Sequence, residues 1–155
     1  MLRVFFLIAT CFTVLGSAQE EKINWLTFEQ LEIKLSKKPK KVMVYFYADW
    51  CVYCKKMDQS VFNKAEVKAI LKMDYYAVKF NAEYKDTIYF GGKSFVNKQI
   101  GKKRNPFHDI PKLLAGRPNT PLELPATVIL DEKFIIKGRY NRYISPKEMV
   151  SILKH

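Results

Sequence analysis

Seven consecutive residues, Val42-Met43-Val44-Tyr45-Phe46-Tyr47-Ala48, are apolar or aromatic and rich in β-favouring side chains. A strand that covers only one side of a core alternates apolar with polar positions, because successive side chains point to opposite faces. This run has no polar face to offer to water. It predicts a strand covered on both sides, the environment of a central strand in a sheet flanked by helices. Two cysteines, Cys51 and Cys54, follow just past its end.

The surrounding signals agree with such a sheet. Thr27 and Gln30 form a capping box ahead of Phe28, Leu31, Glu32 and Leu35, and Pro39 stops the helix they start. Helix-favouring residues run from Cys51 to about Gln59, with a break expected near Ser60. Asn63 and Glu66 then propose a second N-cap before Val67, Ile70 and Leu71. Tyr76, Val78 and Phe80 alternate as a strand. Thr87 to Phe90 and Lys93 to Val96 flank Gly91-Gly92, which reads as a β-hairpin inserted before the next helix. That helix is expected over His108 to Ala115, capped by Asp109, with Pro111 in its first turn and Gly116 after its end. Ala126 to Leu130 and Phe134 to Tyr140 read as two antiparallel strands joined by Asp131-Glu132-Lys133. Ser145-Pro146-Lys147-Glu148 announces a final helix. The order implies an α/β domain, a mixed central sheet with helices on both sides.

At the N-terminus, Arg3 precedes an apolar run from Val4 to Leu15 that ends in Gly16-Ser17-Ala18. This pattern predicts a signal peptide over residues 1–18, cleaved after Ala18, and one domain over residues 19–155. The run is shorter than the ~20 residues of a spanning helix, and Thr10 is a poor neighbour for lipidation at Cys11. The expected location is periplasmic or secreted, with no stable membrane insertion after cleavage. The formal net charge is +12, but lysines are spread singly and in pairs, without the aromatic-interleaved basic block of an RNA-binding surface. Nucleic acid is therefore not an expected partner.

Once Cys11 leaves with the signal, Cys51 and Cys54 are the remaining cysteines. A bridge across so small a loop adds little stability, so the pair points to chemistry rather than to a structural framework. At the start of a helix, unpaired N–H groups and the positive dipole end favour a thiolate, which marks Cys51 as the nucleophile. Cys54, one turn further in, is placed to resolve a mixed disulfide. Structural zinc lacks ligands, because the histidines are His108 and the terminal His155. A thiolate copper site stays open on the ligand argument.

The segment Val44-Tyr45-Phe46-Tyr47-Ala48-Asp49-Trp50-Cys51-Val52-Tyr53-Cys54-Lys55 resembles the active-site segment of the thioredoxin superfamily. Leu124-Pro125-Ala126-Thr127-Val128 resembles the loop and strand where that family places a cis-proline beside the CxxC, and Gly138-Arg139-Tyr140 its last-strand glycine region. The Met57-Asp58 segment, the Gly91-Gly92 insertion and Phe107-His108 resemble secreted bacterial thioredoxin-like proteins. The resemblance implies a thioredoxin fold and a thiol-disulfide oxidoreductase that exchanges disulfides with protein thiols and disulfides. It further implies an upstream electron donor or acceptor and no bound cofactor. Trp50, Leu124 and Pro125 would contact substrate, Leu124 by pairing its backbone with an extended chain.

The departures bear on mechanism. Thioredoxins carry a buried aspartate where this chain has Tyr45, so Asp49 or Glu83 is a candidate replacement, and Lys79 matches a family lysine. His108 is a candidate proton shuttle. Val52-Tyr53 lacks the histidine of the isomerases and strong oxidants, which favours a reductant. Two other functions remain open at this level: a binding module with a vestigial or redox-gated CxxC, and a copper-handling thiol protein.

Overall fold

Strand β2 (Lys41–Tyr47) lies at the centre of a five-stranded sheet of order β1-β3-β2-β6-β7. The structure, a computed structural model, describes residues 22–155; the expected signal peptide and Cys11 lie outside them. The other strands are β1 (Trp25–Leu26), β3 (Tyr75–Asn81), β6 (Ala126–Leu130) and β7 (Ile136–Tyr140). Strands β1, β3 and β2 run parallel, while β6 is antiparallel to both β2 and β7. The expected mixed sheet is present. Val42 through Phe46 are fully buried, which is why no polar residue appears among them.

Their side chains alternate between two cores. Met43 and Tyr45 face a cluster built with α2 (Val52–Ser60), α3 (Ala65–Asp74) and α5 (Pro146–Lys154). Val42, Val44 and Phe46 face a second cluster containing Phe28 and Leu31 of α1 (Phe28–Lys37) and Ile110 and Ala115 of α4 (Asp109–Ala115). Each buried Val, Leu or Phe contributes about 1.5–3 kcal/mol by leaving water, so the alternation fixes the register of β2 against both helical layers. Among the described residues, no helix is long and apolar enough to cross a membrane.

Both bonds of the Thr27 capping box form: Gln30 N–H donates to Thr27 Oγ1 and Thr27 N–H to Gln30 Oε1. The insertion is the expected hairpin, β4 (Ile88–Phe90) and β5 (Lys93–Phe95). Gly91 and Gly92 have φ of 60° and 69°, the pair of left-handed positions a two-residue hairpin turn requires. Phe90 packs against Phe28 and Phe134, and Gly91 N–H donates to Glu32 Oε1, so the hairpin rides on α1 as a satellite of the second core.

Three local expectations are corrected, and one strand carries no sequence signal. Strand β1 is too short to produce a periodic pattern and was not foreseen. The N-cap of α3 is Lys64, not Asn63, because Asn63 donates its side-chain amide back to Gln59 O. The N-cap of α4 is His108, not Asp109, whose carboxylate is held by Lys112 and Lys98. Strand β7 begins at Ile136 rather than Phe134, since Asp131 Oδ1 accepts N–H bonds from Lys133 and Ile135 and Phe134 turns left-handed with φ 61°.

Candidate active site

Strand β2 ends against the first turn of α2, and Cys51 is the N-cap of that helix. Cys51 and Cys54 form a disulfide, with Cα atoms 5.2 Å apart. Cys51 Sγ also accepts the Cys54 N–H at 3.2 Å, so the sulfur occupies the place a capping hydroxyl would take. Both cysteines are buried, yet their neighbours are not: Trp50, Val52 and Tyr53 are 49%, 74% and 58% exposed. An almost closed bridge thus lies directly under a bare rim. The free N–H groups and dipole of α2 favour negative charge on Cys51 once the bridge opens.

Across from this rim lies the segment leading into β6. Phe46 pairs with Ala126, which brings Leu124 and Pro125 beside the end of β2. The Leu124–Pro125 peptide bond is cis, and Leu124 packs against the cluster that contains both cysteines. Trp50, Tyr53, Leu124 and Pro125 line one open groove. The structure therefore brings together all the residues proposed for substrate contact. Asn105, Phe107, Asn141, Arg142 and Tyr143 also line the groove, none of them foreseen as site residues. Arg142 is held by Glu148, and the Tyr143 ring lies 6.2 Å from that of Tyr53.

Beneath the bridge, Tyr45 occupies the position of the thioredoxin aspartate. Its hydroxyl donates to Cys54 O at 3.1 Å. Burial, reinforced by the negative charge of Asp58, pushes the phenol far above its ordinary pKa, so it remains a donor. The carboxylate in this region comes from the helix: Asp58 pairs with Lys79 at 2.8 Å, and Lys79 Nζ sits 4.8 Å from the Tyr47 ring centre. Neither expected replacement takes that place. Glu83 accepts the Trp50 indole N–H at 3.0 Å, and Asp49 accepts a 3.4 Å bond from Asn81, so both fasten the rim instead. Asp58 had a sequence signal, its spacing of four from Cys54, which puts both on one helix face.

His108 is not placed as a shuttle. It is fully buried against Phe80, a residue of the core on the opposite side of the sheet from the cysteines. Its Nδ1 accepts the Ile110 N–H, and burial pushes its pKa below the ordinary value. Among the described residues, no three side chains of metal-ligating type converge.

A redox-active cysteine pair at a helix start, on this sheet and beside this loop, defines a thiol-disulfide oxidoreductase of thioredoxin fold. The thioredoxin-like domain profile matches residues 28–155, and the chain belongs to that family. Solved structures agree on the fold. A thioredoxin from Thermus thermophilus is 20% identical, with 86% of this chain and 85% of that chain covered at a TM-score of 0.57. A DsbH oxidoreductase is 17% identical over 86% and 83% of the two chains, at 0.55. A disulphide isomerase from Xylella fastidiosa is 12% identical over 86% and 95%, at 0.53. No curated protein sequence matches the chain.

Proposed function

We propose that the protein works outside the cytoplasm, reducing disulfides of protein substrates, with Cys51 as attacking sulfur and Cys54 as resolving sulfur. The observation that carries this reading is the Cys51–Cys54 bridge at the N-terminus of α2, whose neighbours Trp50 and Tyr53 line a groove with Leu124 and Pro125. In the reduced protein, the Cys51 thiolate attacks one sulfur of a substrate disulfide, forming a mixed disulfide and releasing a substrate thiolate. The Cys54 thiolate then attacks Cys51 Sγ, closing the bridge described above and releasing the second substrate thiolate. Two electrons pass to the substrate, and a dithiol donor must return two to the protein. The absence of a histidine in Val52-Tyr53 supports the reducing direction, and the Arg3 to Ala18 pattern supports export.

Cys54→Ser stops the second step and leaves the first product standing. The variant should accumulate covalent complexes that survive an acid quench and a non-reducing gel and dissolve with reductant, because uncatalysed rearrangement takes minutes to hours. Cys51→Ser should accumulate none. Equal trapping by both variants would reverse or remove the assigned roles, and no trapping by either would favour a binding module or a metal clamp.

A further inference from the structure

Next to the groove stands a basic turn that the exchange chemistry does not use. Lys102, Lys103 and Arg104 are consecutive and exposed, and none is paired with a carboxylate among the described residues. The following residue, Asn105, is already part of the groove wall.

This turn is built, not loose. Lys102 N–H and Lys103 N–H both donate to Gln99 O, at 2.9 and 3.1 Å. Gln99 Oε1 accepts the Phe107 N–H at 3.0 Å, closing the loop from its other end. Asn97, itself buried, donates to Tyr84 O and Pro106 O and accepts the Gln99 N–H. Gly101 allows the reversal with φ 73°. The backbone that carries the three cations is thereby fixed next to Asn105 of the groove wall. In an adjoining recess, Arg117 and Arg139 donate to backbone carbonyls, of Arg139 and Leu114 respectively, so hydrogen bonding leaves their positive charge uncompensated. Their recess shares Glu123, Asn141 and Arg142 with the groove. Glu123 is the one carboxylate among the side chains that line the groove.

We propose that the groove and its basic bank select protein partners whose reactive cysteine is flanked by an acidic segment. This rests on the exchange reading above and names its substrate class. Fixed charge beside a docking site raises encounter rates and sets the partner's orientation, whereas the sulfur exchange itself is indifferent to charge several residues away. The apolar walls take the residues next to the cysteine, and the Lys102-Lys103-Arg104 turn takes the acidic flank.

The test compares three substrates with the reduced protein: a neutral small disulfide, a disulfide peptide with glutamates flanking its cysteine, and the same peptide with lysines. The glutamate peptide should react ~10-fold faster than the lysine peptide, and rising salt should erase the difference. Replacing Lys102, Lys103 and Arg104 together by Gln should shrink the preference, and by Glu should shrink it further, while the rate with the neutral disulfide stays unchanged. A preference that survives both triple variants, or that never appears in the wild type, overturns the proposal. Binding of fluorescent peptides carrying Ser for Cys, read by anisotropy, separates the two readings. If the neutral disulfide is not reduced, the oxidoreductase reading fails, and selective binding of the glutamate peptide still supports the docking surface. Binding to vesicles of anionic phospholipid without any peptide selectivity would overturn it in favour of a membrane surface.

Discussion

Helix α2 starts at Cys51, whose Sγ accepts the Cys54 N–H at 3.2 Å; helix α4 starts at His108, whose Nδ1 accepts the Ile110 N–H, also at 3.2 Å. Both capping residues are buried, and both use a nucleophilic or basic atom to satisfy a free N–H at a helix start. Their surroundings differ. Around Cys51 the adjoining Trp50, Val52 and Tyr53 are exposed, and Trp50 and Tyr53 line a groove. Around His108 the rings of Phe80 and Tyr84 close the space, and its backbone N–H is tied to Ala82 O at 2.8 Å. The same local device holds a reagent in one place and fastens an insertion in the other. Access, not the cap, separates chemistry from structure.

The sharpest way to break this contrast is to replace the two capping residues separately. Cys51→Ser keeps an acceptor at the start of α2 and removes the sulfur proposed to attack. Exchange should fall to the uncatalysed background, minutes to hours, with stability of the reduced protein nearly unchanged. Exchange that persists in a dithiol-to-disulfide assay would show that Cys54 can act alone.

His108→Ala should do the reverse. Losing the cap and leaving a cavity should cost about 2–4 kcal/mol in urea unfolding, while the exchange rate per folded molecule of a neutral disulfide is retained. A variant of wild-type stability with slowed exchange would place His108 back in the chemistry.

A smaller effect separates the imidazole from its packing. Because burial depresses the His108 pKa, the unfolded chain binds this proton more readily than the folded one. Stability from this residue is intact above the ordinary value of about 6.5 and falls as pH drops from there toward the folded pKa, by at most ~1.4 kcal/mol per pH unit. His108→Asn keeps a side-chain acceptor and cannot titrate. Urea midpoints of the two proteins between pH 7.5 and 5 should converge as the wild type weakens; parallel profiles would assign the acid response to other groups.

Several elements were legible because one local cause decides them. The Thr27-Gln30 box, the Gly91-Gly92 turn and the unbroken apolar run of β2 carry their conformation in their own residues. The CxxC pair at a strand-to-helix junction was legible for the same reason. The caps of α3 and α4 were not, since the choice between Asn63 and Lys64, or His108 and Asp109, depends on which side chain a distant partner has already claimed. Gln59 O claims Asn63, and Lys98 and Lys112 claim Asp109. The groove wall of Asn105, Arg142 and Tyr143 is assembled from segments far apart in the chain, so no local pattern announces it. Asp58 lay within reach of helical spacing alone, but its meaning needed Lys79 from a neighbouring strand.

The margins of the sheet carry a further consequence. If Leu124 pairs with extended chains as proposed, the protein must also avoid pairing with its own kind, and long flat apolar edge strands are the usual route to such aggregation. Here β1 is only two residues long before Thr27 turns the chain into a helix. The opposite margin, β7, carries Lys137 and Arg139 around Gly138, and the register slips between Ile129 and Leu130 of its neighbour. Both borders of the five-stranded sheet are thus blunted by shortness, charge or an irregular register, the devices that disfavour edge-to-edge pairing with another copy.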